Sequence, residues 1–189
     1  MISRIEKENA LNQRAVVIWL TGLSGSGKTT IAEGIERILY SKGYYTQHLD
    51  GDNIRHGLNN NLGFSEQDRE ENIRRIAELS LLFINCGIIC INSFITPTAR
   101  MRQRARAIIG SENYIEIFLN ASLEVCEKRD VKGMYKDARE GKIENFTGID
   151  SSYEMPLHPD IELNTEVLSV DETVEKCLKL ILPLILRIK

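Results

Sequence analysis

The residues best suited to chemistry form a glycine-rich loop that ends in a lysine and a threonine. Residues 22–29 read Gly-Leu-Ser-Gly-Ser-Gly-Lys-Thr, which matches the G-x-x-x-x-G-K-[ST] pattern of phosphate-binding loops. Its glycines lack a Cβ atom, so successive backbone N–H groups can wrap an anion. Lys28 is placed to reach the β- and γ-phosphates, and the Thr29 hydroxyl can be a ligand of Mg²⁺. The loop therefore predicts binding of a nucleoside triphosphate.

Two aspartates, Asp50 and Asp52, supply carboxylates for acid–base chemistry. They follow a run of strand type, and open α/β sheets bind ligands at the carboxyl ends of their strands. An acceptor hydroxyl needs a proton acceptor nearby, and either carboxylate can serve. Arg55 and Arg69 would suit an acceptor that carries anions. Phe64 offers a stacking face for an aromatic ring or, alternatively, a hydrophobic staple at the start of a helix.

Strand and helix patterns alternate along the chain, and they must position these groups. Residues 16–20 form an apolar run that leads into the loop, as expected of a strand buried on both faces. Further strands are predicted at 44–49, 88–94, 114–119 and 161–163. Helices are predicted from the loop to about residue 43, then at 65–86, 98–109 and 123–129, and from Ser169 to near Pro183. The alternation predicts an α/β fold, a mostly parallel sheet with helices on both faces.

The domain organisation expected is a single P-loop kinase domain over residues 14–189, preceded by an N-terminal arm at 1–13. Residues 53–64 are predicted as a polar loop. Residues 130–149 are rich in charged residues and glycine with little apolar periodicity, so they are predicted to form a mobile lid over the phosphates. The strand at 88–94 ends without an acidic residue, so a motor-type Walker B carboxylate is absent from its expected place. The lack of a guanine-recognition motif favours an adenine nucleotide.

Composition narrows the class of protein. The chain has 189 residues and a net charge of −3, which does not favour a nucleic-acid or membrane surface. No apolar stretch predicts a signal peptide or a membrane span. The four cysteines lack zinc-ligand spacing, so we expect reduced thiols in a cytoplasmic protein.

Several segments together resemble the adenylyl-sulfate kinase family. Besides the loop, these are Leu-Asp-Gly-Asp-Asn-Ile-Arg at 49–55, Leu-Gly-Phe-Ser at 62–65, Glu-Asn-Ile-Arg-Arg-Ile-Ala-Glu at 71–78, and residues 129–136 and 145–150. The resemblance spans about residues 14–185. It implies that ATP, with Mg²⁺, phosphorylates the ribose 3′-hydroxyl of adenylyl sulfate. The products would be ADP and 3′-phosphoadenylyl sulfate, in sulfate activation and assimilation.

The resemblance also implies roles for individual residues. ATP would be bound by Gly22, Ser24, Gly25, Ser26, Gly27, Lys28, Thr29, Thr30 and Arg129. The acceptor would be bound by Asp52, Asn53, Arg55, Phe64, Arg69, Asn72, Ile95, Thr96, Lys132 and Phe146. The catalytic residues would be Lys28, Asp50, Asp52 and Thr96. Asp52 is the candidate to accept the hydroxyl proton. Mg²⁺ would contact Thr29 directly and Asp52 through water.

One segment departs from the family pattern. Many members read Phe-Ile-Ser-Pro, and that serine has been described as a phosphoserine intermediate, whereas residues 94–97 here are Phe-Ile-Thr-Pro. In-line transfer needs no covalent intermediate, so Thr96 is interpreted as a contact in the substrate site. The resemblance further implies a homodimer. Two alternatives stay open: a kinase for another small acceptor, such as a sugar acid, nucleoside or aminoglycoside, and a regulatory ATP-binding module without turnover.

Overall fold

A computed structural model describes residues 2–186, which fold around a five-stranded parallel sheet in the order β2-β3-β1-β4-β5. The strands are β1 (Val17–Thr21), β2 (Thr46–Asp50), β3 (Ile89–Ser93), β4 (Tyr114–Asn120) and β5 (Ile161–Asn164). Each predicted strand is present, with bounds shifted by at most two residues. The predicted α/β fold on a mostly parallel sheet is confirmed.

The helices cover both faces of this sheet, as predicted. They are α1 (Arg4–Leu11), α2 (Lys28–Ser41), α3 (Gly51–His56), α4 (Glu66–Asn85), α5 (Ala99–Ile109), α6 (Leu123–Arg129), α7 (Met134–Arg139) and α8 (Val170–Ile185). Helices α2 and α8 pack on one face, and α4 and α5 pack on the other. Within residues 2–186, no helix combines the length and apolarity that a membrane crossing requires.

Local sequence signals set the ends of several helices. Ser65 caps α4 by accepting a hydrogen bond from the Asp68 N–H, and Ser169 forms a capping box with Glu172 at the start of α8. Helix α2 ends just before Gly43, whose φ of +85° favours glycine. Helix α8 ends two residues after Pro183, close to where that proline predicts an end.

Strand β1 lies at the centre of the core. All five of its residues are buried, with side chains alternating between the two helical layers. Trp19, fully buried, packs against Phe94 and Tyr114 at ring-centroid distances of 5.9 and 5.6 Å. Each large apolar side chain buried in this way contributes roughly 1.5–3 kcal/mol to folding. The strand that leads into the glycine-rich loop is therefore firmly held.

The predicted polar loop at 53–64 is wrong in its first part, because α3 occupies Gly51–His56. The Asp50 side chain caps this helix by accepting a hydrogen bond from the N–H of Asp52. Six residues are too few to show a helical apolar period, so the sequence pattern missed the helix. As a result, Asp52 lies in the first turn of a helix.

The predicted lid contains α7 and a small apolar cluster of its own. Tyr135, Ala138 and Phe146 are buried there with Cys126 and Ala121, and Leu23 of the glycine-rich loop packs against them. Widely spaced apolar residues gave no periodic signal in the sequence. The segment is therefore anchored to the domain by packing as well as by its charged groups.

The predicted N-terminal arm contains α1 (Arg4–Leu11), and side chains of this segment fix it to the domain. The buried Gln13 donates hydrogen bonds from Nε2 to the carbonyl oxygens of Tyr45 (3.0 Å) and Gly87 (2.7 Å). Arg4 donates to the Ala15 carbonyl and to Asn113 Oδ1. These partners all precede strands, so the arm covers the amino end of the sheet, opposite the glycine-rich loop.

Candidate active site

The glycine-rich loop joins β1 to α2 at the carboxyl end of the sheet. A Cβ atom at Gly22 would lie 2.6 Å from both the Leu119 carbonyl oxygen and Ser26 Oγ, so only glycine fits there. Gly27 begins α2 with a φ of +97°, a conformation that glycine adopts without strain. The amino end of a fourteen-residue helix thus faces the loop and favours an anion.

Lys28 is buried at the base of this loop. Its Nζ donates hydrogen bonds to the carbonyl oxygens of Gly22 (3.0 Å) and Leu23 (2.6 Å). Burial lowers the pKa of Lys28 to about 8, although the charges of Cys126 and Asp50 oppose that shift. An anion bound in the loop would stabilise the ammonium form.

Asp50 connects three parts of the site. Its Oδ2 accepts hydrogen bonds from Thr29 Oγ1 and Ser93 Oγ, both at 2.8 Å, and its Oδ1 accepts one from the Asp52 N–H at 3.1 Å. Asp50 is 8% exposed, and it fixes both the threonine of the loop and the start of α3.

The oxygen atoms here suit a magnesium ion. The Thr29 hydroxyl proton points to Asp50, which leaves the oxygen lone pairs free for a cation. Within residues 2–186, no group of three or more His, Cys, Asp or Glu side chains could hold a metal. A cation would therefore combine Thr29, a carboxylate and water with the phosphates of a nucleotide, which is how Mg²⁺ is commonly bound.

A basic and aromatic wall faces the carboxylates. Phe64 is 44% exposed, with the Arg55 guanidinium carbon 4.5 Å from its ring centroid and that of Arg69 at 5.8 Å. Arg55 also donates to the Gly63 carbonyl at 2.9 Å. Partial burial lowers the pKa values of both arginines, which nevertheless stay charged. The wall offers two cations and a ring face to a ligand.

Arg69 ties this wall to the lid. Its Nε donates to the Phe64 carbonyl at 2.9 Å, its Nη1 donates to Thr147 Oγ1 at 2.6 Å, and its Nη2 contacts the Asn145 carbonyl. The planar fork of the guanidinium makes these simultaneous contacts possible. Arg69 thus fixes the position of Phe146, the residue between its two lid partners.

The segment predicted as a lid reaches both ends of the site. The Tyr135 hydroxyl donates to the Ser24 carbonyl at 2.9 Å, and its ring meets Phe146 edge-on at 4.9 Å. Lys132 forms an ion pair with Asp52, and both side chains are about half exposed. One short segment therefore touches the glycine-rich loop, the carboxylates and the aromatic wall.

Asn72 is oriented by a residue that sequence reasoning missed. The fully buried Asn59 donates from Nδ2 to Asn72 Oδ1 at 2.9 Å, which leaves the Asn72 amide hydrogens free to face the cleft. A second asparagine of the same stretch, Asn61, accepts a hydrogen bond at Oδ1 from Arg75 of α4 at 2.9 Å. The asparagine-rich stretch predicted only as a loop holds this part of the site.

Thr96 lies in the wall of the cleft, with its hydroxyl bonded to the core. Its Oγ1 accepts a hydrogen bond from the buried Trp19 Nε1 at 2.9 Å, and its carbonyl accepts one from Arg102 at 3.0 Å. Thr96 is 1% exposed and has a φ of +47°, which is strained for a β-branched residue. The hydroxyl is therefore held by a core side chain, and the catalytic role of Thr96 stays a prediction.

Most of the predicted site residues line one cleft of about 410 Å³. The predicted residues around it are Ser24, Gly25, Gly27, Lys28, Thr29, Thr30, Asp50, Asp52, Arg55, Phe64, Arg69, Asn72, Ile95, Thr96, Lys132 and Phe146. Gly22, Ser26 and Asn53 are not among the lining residues. Arg129 is also outside it, and donates to the Gly25 and Thr165 carbonyls at 3.2 and 2.6 Å. Sequence reasoning did not assign Ser93, Tyr135 and Thr147 to the site, although Tyr135 and Thr147 lie within segments that carry the family resemblance.

Comparisons with known proteins agree on one family. The family model described as adenylylsulphate kinase matches residues 14–164. The adenylyl-sulfate kinase of Bacteroides fragilis is 55% identical over 187 residues, covering 99% of this chain and 93% of that protein. That of Vibrio cholerae is 51% identical over 94% of this chain and 83% of its own length. The APS kinase of Mycobacterium tuberculosis, solved with AMPPNP and APS, is similar in structure, with a TM-score of 0.86, 44% identity, and coverage of 89% and 98%.

Proposed function

This chain belongs to the adenylyl-sulfate kinase family, and we propose that its cleft transfers the γ-phosphoryl group of ATP to the ribose 3′-hydroxyl of adenylyl sulfate. The products are ADP and 3′-phosphoadenylyl sulfate. One observation carries the proposal: a phosphate-binding loop, a carboxylate pair and an arginine-aromatic wall surround the same cleft. The combination of two arginines with the rings of Phe64 and Phe146 suits an acceptor that carries both anionic groups and an aromatic base.

ATP binds with its phosphates in the glycine-rich loop. The loop N–H groups and the amino end of α2 stabilise the negative charge, and Lys28 neutralises the β- and γ-phosphates. Arg129 stands at the far side of the loop, beside Gly25 and Thr165, where it supports binding of the adenine of ATP. Asp50 keeps the Thr29 hydroxyl oriented toward the phosphates.

Adenylyl sulfate binds against the opposite wall. Arg55 and Arg69 stabilise its phosphosulfate group, and the free amide hydrogens of Asn72 donate to it. Phe64 and Phe146 supply faces for its adenine ring. Ile95 and Lys132 complete the wall around the ribose.

Asp52 is the proton acceptor of the reaction. It takes the proton of the 3′-hydroxyl as that oxygen attacks the γ-phosphorus of ATP, and the bond from phosphorus to the bridging oxygen of ADP breaks. The N–H of Asp52 is anchored to Asp50, which sets the start of α3. Thr96 forms no covalent bond, because its hydroxyl is held by Trp19.

Magnesium fits the donor set of this site. Thr29, and Asp52 through water, would hold Mg²⁺ beside the phosphates. When bound, the ion supplies charge neutralisation on the β- and γ-phosphate oxygens.

The test is ADP release from ATP with Mg²⁺, with and without adenylyl sulfate. Wild-type release should require adenylyl sulfate, and Asp52→Asn should lower kcat about 10²–10⁴-fold, as loss of a general base does. Asp171→Asn, an exposed aspartate at the start of α8, is the matched control and should keep full turnover. Wild-type turnover in Asp52→Asn would reject Asp52 as the base. Release that gluconate or a nucleoside supports equally well would reject the acceptor.

Two further properties are proposed: a homodimeric assembly, from the family resemblance, and a cytoplasmic location, from cysteines that lack zinc-ligand spacing and are expected to be reduced thiols. Sedimentation equilibrium tests the first, and cell fractionation with an antibody against the chain tests the second. A monomer at micromolar concentration would contradict the assembly.

A further inference from the structure

His48 and Ser93 extend the hydrogen-bonded group around Asp50. Strands β2 and β3 pair so that Asp50 lies beside Ser93. His48 precedes Asp50 by two residues, so its side chain projects from the same face of the sheet. His48 Nε2 lies 3.0 Å from Ser93 Oγ, and Ser93 Oγ lies 2.8 Å from Asp50 Oδ2.

The direction of these hydrogen bonds follows from proton counting. Asp50 already accepts bonds from Thr29 Oγ1 and the Asp52 N–H, as an ionised carboxylate does. The single proton of the Ser93 hydroxyl goes to this carboxylate, because a charge-assisted bond is stronger than one to a neutral imidazole. Ser93 Oγ must then accept from His48, so His48 carries its proton on Nε2.

The place of Ser93 in the sheet explains why this chain of hydrogen bonds is needed. Strand β3 is the neighbour of β1, and many P-loop proteins place there the acidic residue that assists the loop threonine in holding magnesium. This chain has Ser93 at that point, and the carboxylate that accepts a hydrogen bond from Thr29 is Asp50, one strand further out. Ser93 bridges the gap between them. Without the hydrogen bond from Ser93, the Asp50 carboxylate would be less firmly oriented toward the Thr29 hydroxyl and the Asp52 N–H.

We propose that His48 and Ser93 are positioning residues of the kinase: His48 donates to Ser93, Ser93 donates to Asp50, and Asp50 thereby holds Thr29 and the start of α3 in their working positions. The inference rests on the proposed function for its kinetic effect. Neither side chain exchanges a proton with substrate. Both act on kcat through Asp50, without contacting adenylyl sulfate.

The kinetic experiment uses five variants of the full chain. Ser93→Ala should lower kcat about tenfold, with the KM for adenylyl sulfate within about twofold of wild type. His48→Leu should lower kcat about threefold, and His48→Gln, whose amide can donate in place of Nε2, should restore it. The double variant Ser93→Ala/His48→Leu should be no worse than Ser93→Ala, because His48 acts only through Ser93. Thr46→Val is the control. It removes a hydroxyl from β2, the strand of His48, that takes no part in this chain of hydrogen bonds, and its kcat should equal that of the wild type.

A second measurement, made on the wild type, does not depend on turnover. Long-range ¹H–¹⁵N correlation spectra of the wild type, with His48 assigned by the loss of its signals in His48→Gln, report which ring nitrogen carries hydrogen. The proposal requires hydrogen on Nε2.

An Nδ1–H tautomer of His48 would overturn the proposal whatever the kinetics. So would a wild-type kcat for Ser93→Ala, or equal losses from His48→Leu in the wild-type and Ser93→Ala backgrounds. Failure of the wild type to phosphorylate adenylyl sulfate would instead reject the proposed function. The tautomer of His48 would then still test the direction of the hydrogen bonds from His48 to Asp50.

Discussion

Nucleotide binding should be coupled to protonation of Lys28. In the free protein, burial holds the pKa of Lys28 at about 8, so the side chain loses its charge between pH 7 and pH 9. The phosphates of ATP need the ammonium form. Raising the pH through this range should therefore weaken ATP binding, and binding should take up a proton.

The size of the effect follows from the shift. If bound phosphates return the pKa to its ordinary value of 10.5 or above, ATP affinity falls about tenfold from pH 7 to pH 9. Proton uptake on binding is ~0.1 at pH 7, ~0.5 at pH 8 and ~0.9 at pH 9. The same shift acts on stability, because the unfolded chain holds this proton more tightly than the folded one. Folding should gain up to about 3 kcal/mol as the pH rises from about 8 to about 10.5.

Isothermal titration calorimetry of ATP at pH 7, 8 and 9 measures the effect. Titrations in two buffers of different ionisation enthalpy give the protons taken up at each pH. The phosphates of ATP, with a second pKa of about 6, are already ionised at pH 8 and above. Lys28→Arg is the matched control, since arginine stays charged throughout. It should bind ATP with no comparable proton uptake above pH 8.

Two results would refute this reasoning. One is an ATP affinity that stays constant from pH 7 to pH 9 in the wild type. The other is equal proton uptake in the wild type and Lys28→Arg, which would assign the proton to another group. Either would mean that the carbonyl-bound Lys28 stays fully charged in the free protein.

Three substitutions test other contacts. Thr96→Val leaves Trp19 Nε1 without a partner and should cost about 1–3 kcal/mol of stability, lowering Tm by roughly 2–10 °C. The folded protein should still turn over; loss of turnover below Tm would restore a chemical role for the hydroxyl. Tyr135→Phe removes the bond to the Ser24 carbonyl, and should raise the KM for ATP about two- to tenfold while leaving that for adenylyl sulfate nearly unchanged. Equal rises in the KM values for ATP and for adenylyl sulfate would show that the effect of Tyr135→Phe is not confined to the ATP site. Arg69→Lys cannot reproduce the planar fork, and should raise the KM for adenylyl sulfate about tenfold or more. An unchanged KM would remove Arg69 from the acceptor site.

The features predicted well from sequence are those encoded by neighbouring residues. The glycine-rich loop, the run of strand β1 and the caps at Ser65 and Ser169 each have a local pattern with a physical cause. The parallel direction of the strands follows from the alternation of strands and helices. For these features the structure moved boundaries by one or two residues.

The features missed depend on partners that are distant in the sequence. The hydrogen bond that the Thr96 hydroxyl accepts from Trp19, 77 residues away, was not predicted. Tyr135 lies in a charged segment that has no apolar period, yet its hydroxyl bonds to Ser24, 111 residues away. The short helix α3 depends on a single capping carboxylate, Asp50, which the sequence analysis considered only as a candidate for acid–base chemistry. None of these contacts leaves a local signature.

The most direct test of the account is the position to which the phosphoryl group goes. The wild type would be incubated with Mg²⁺ and ATP labelled in the γ-phosphate, in parallel with adenylyl sulfate and with its 3′-deoxy analogue. The account predicts label on adenylyl sulfate in equal amount to ADP, and release of that label by a nucleotidase specific for 3′-phosphates. The 3′-deoxy analogue should compete for binding and accept no label. Labelling of the analogue, or label that the 3′-nucleotidase leaves in place, would contradict the central claim.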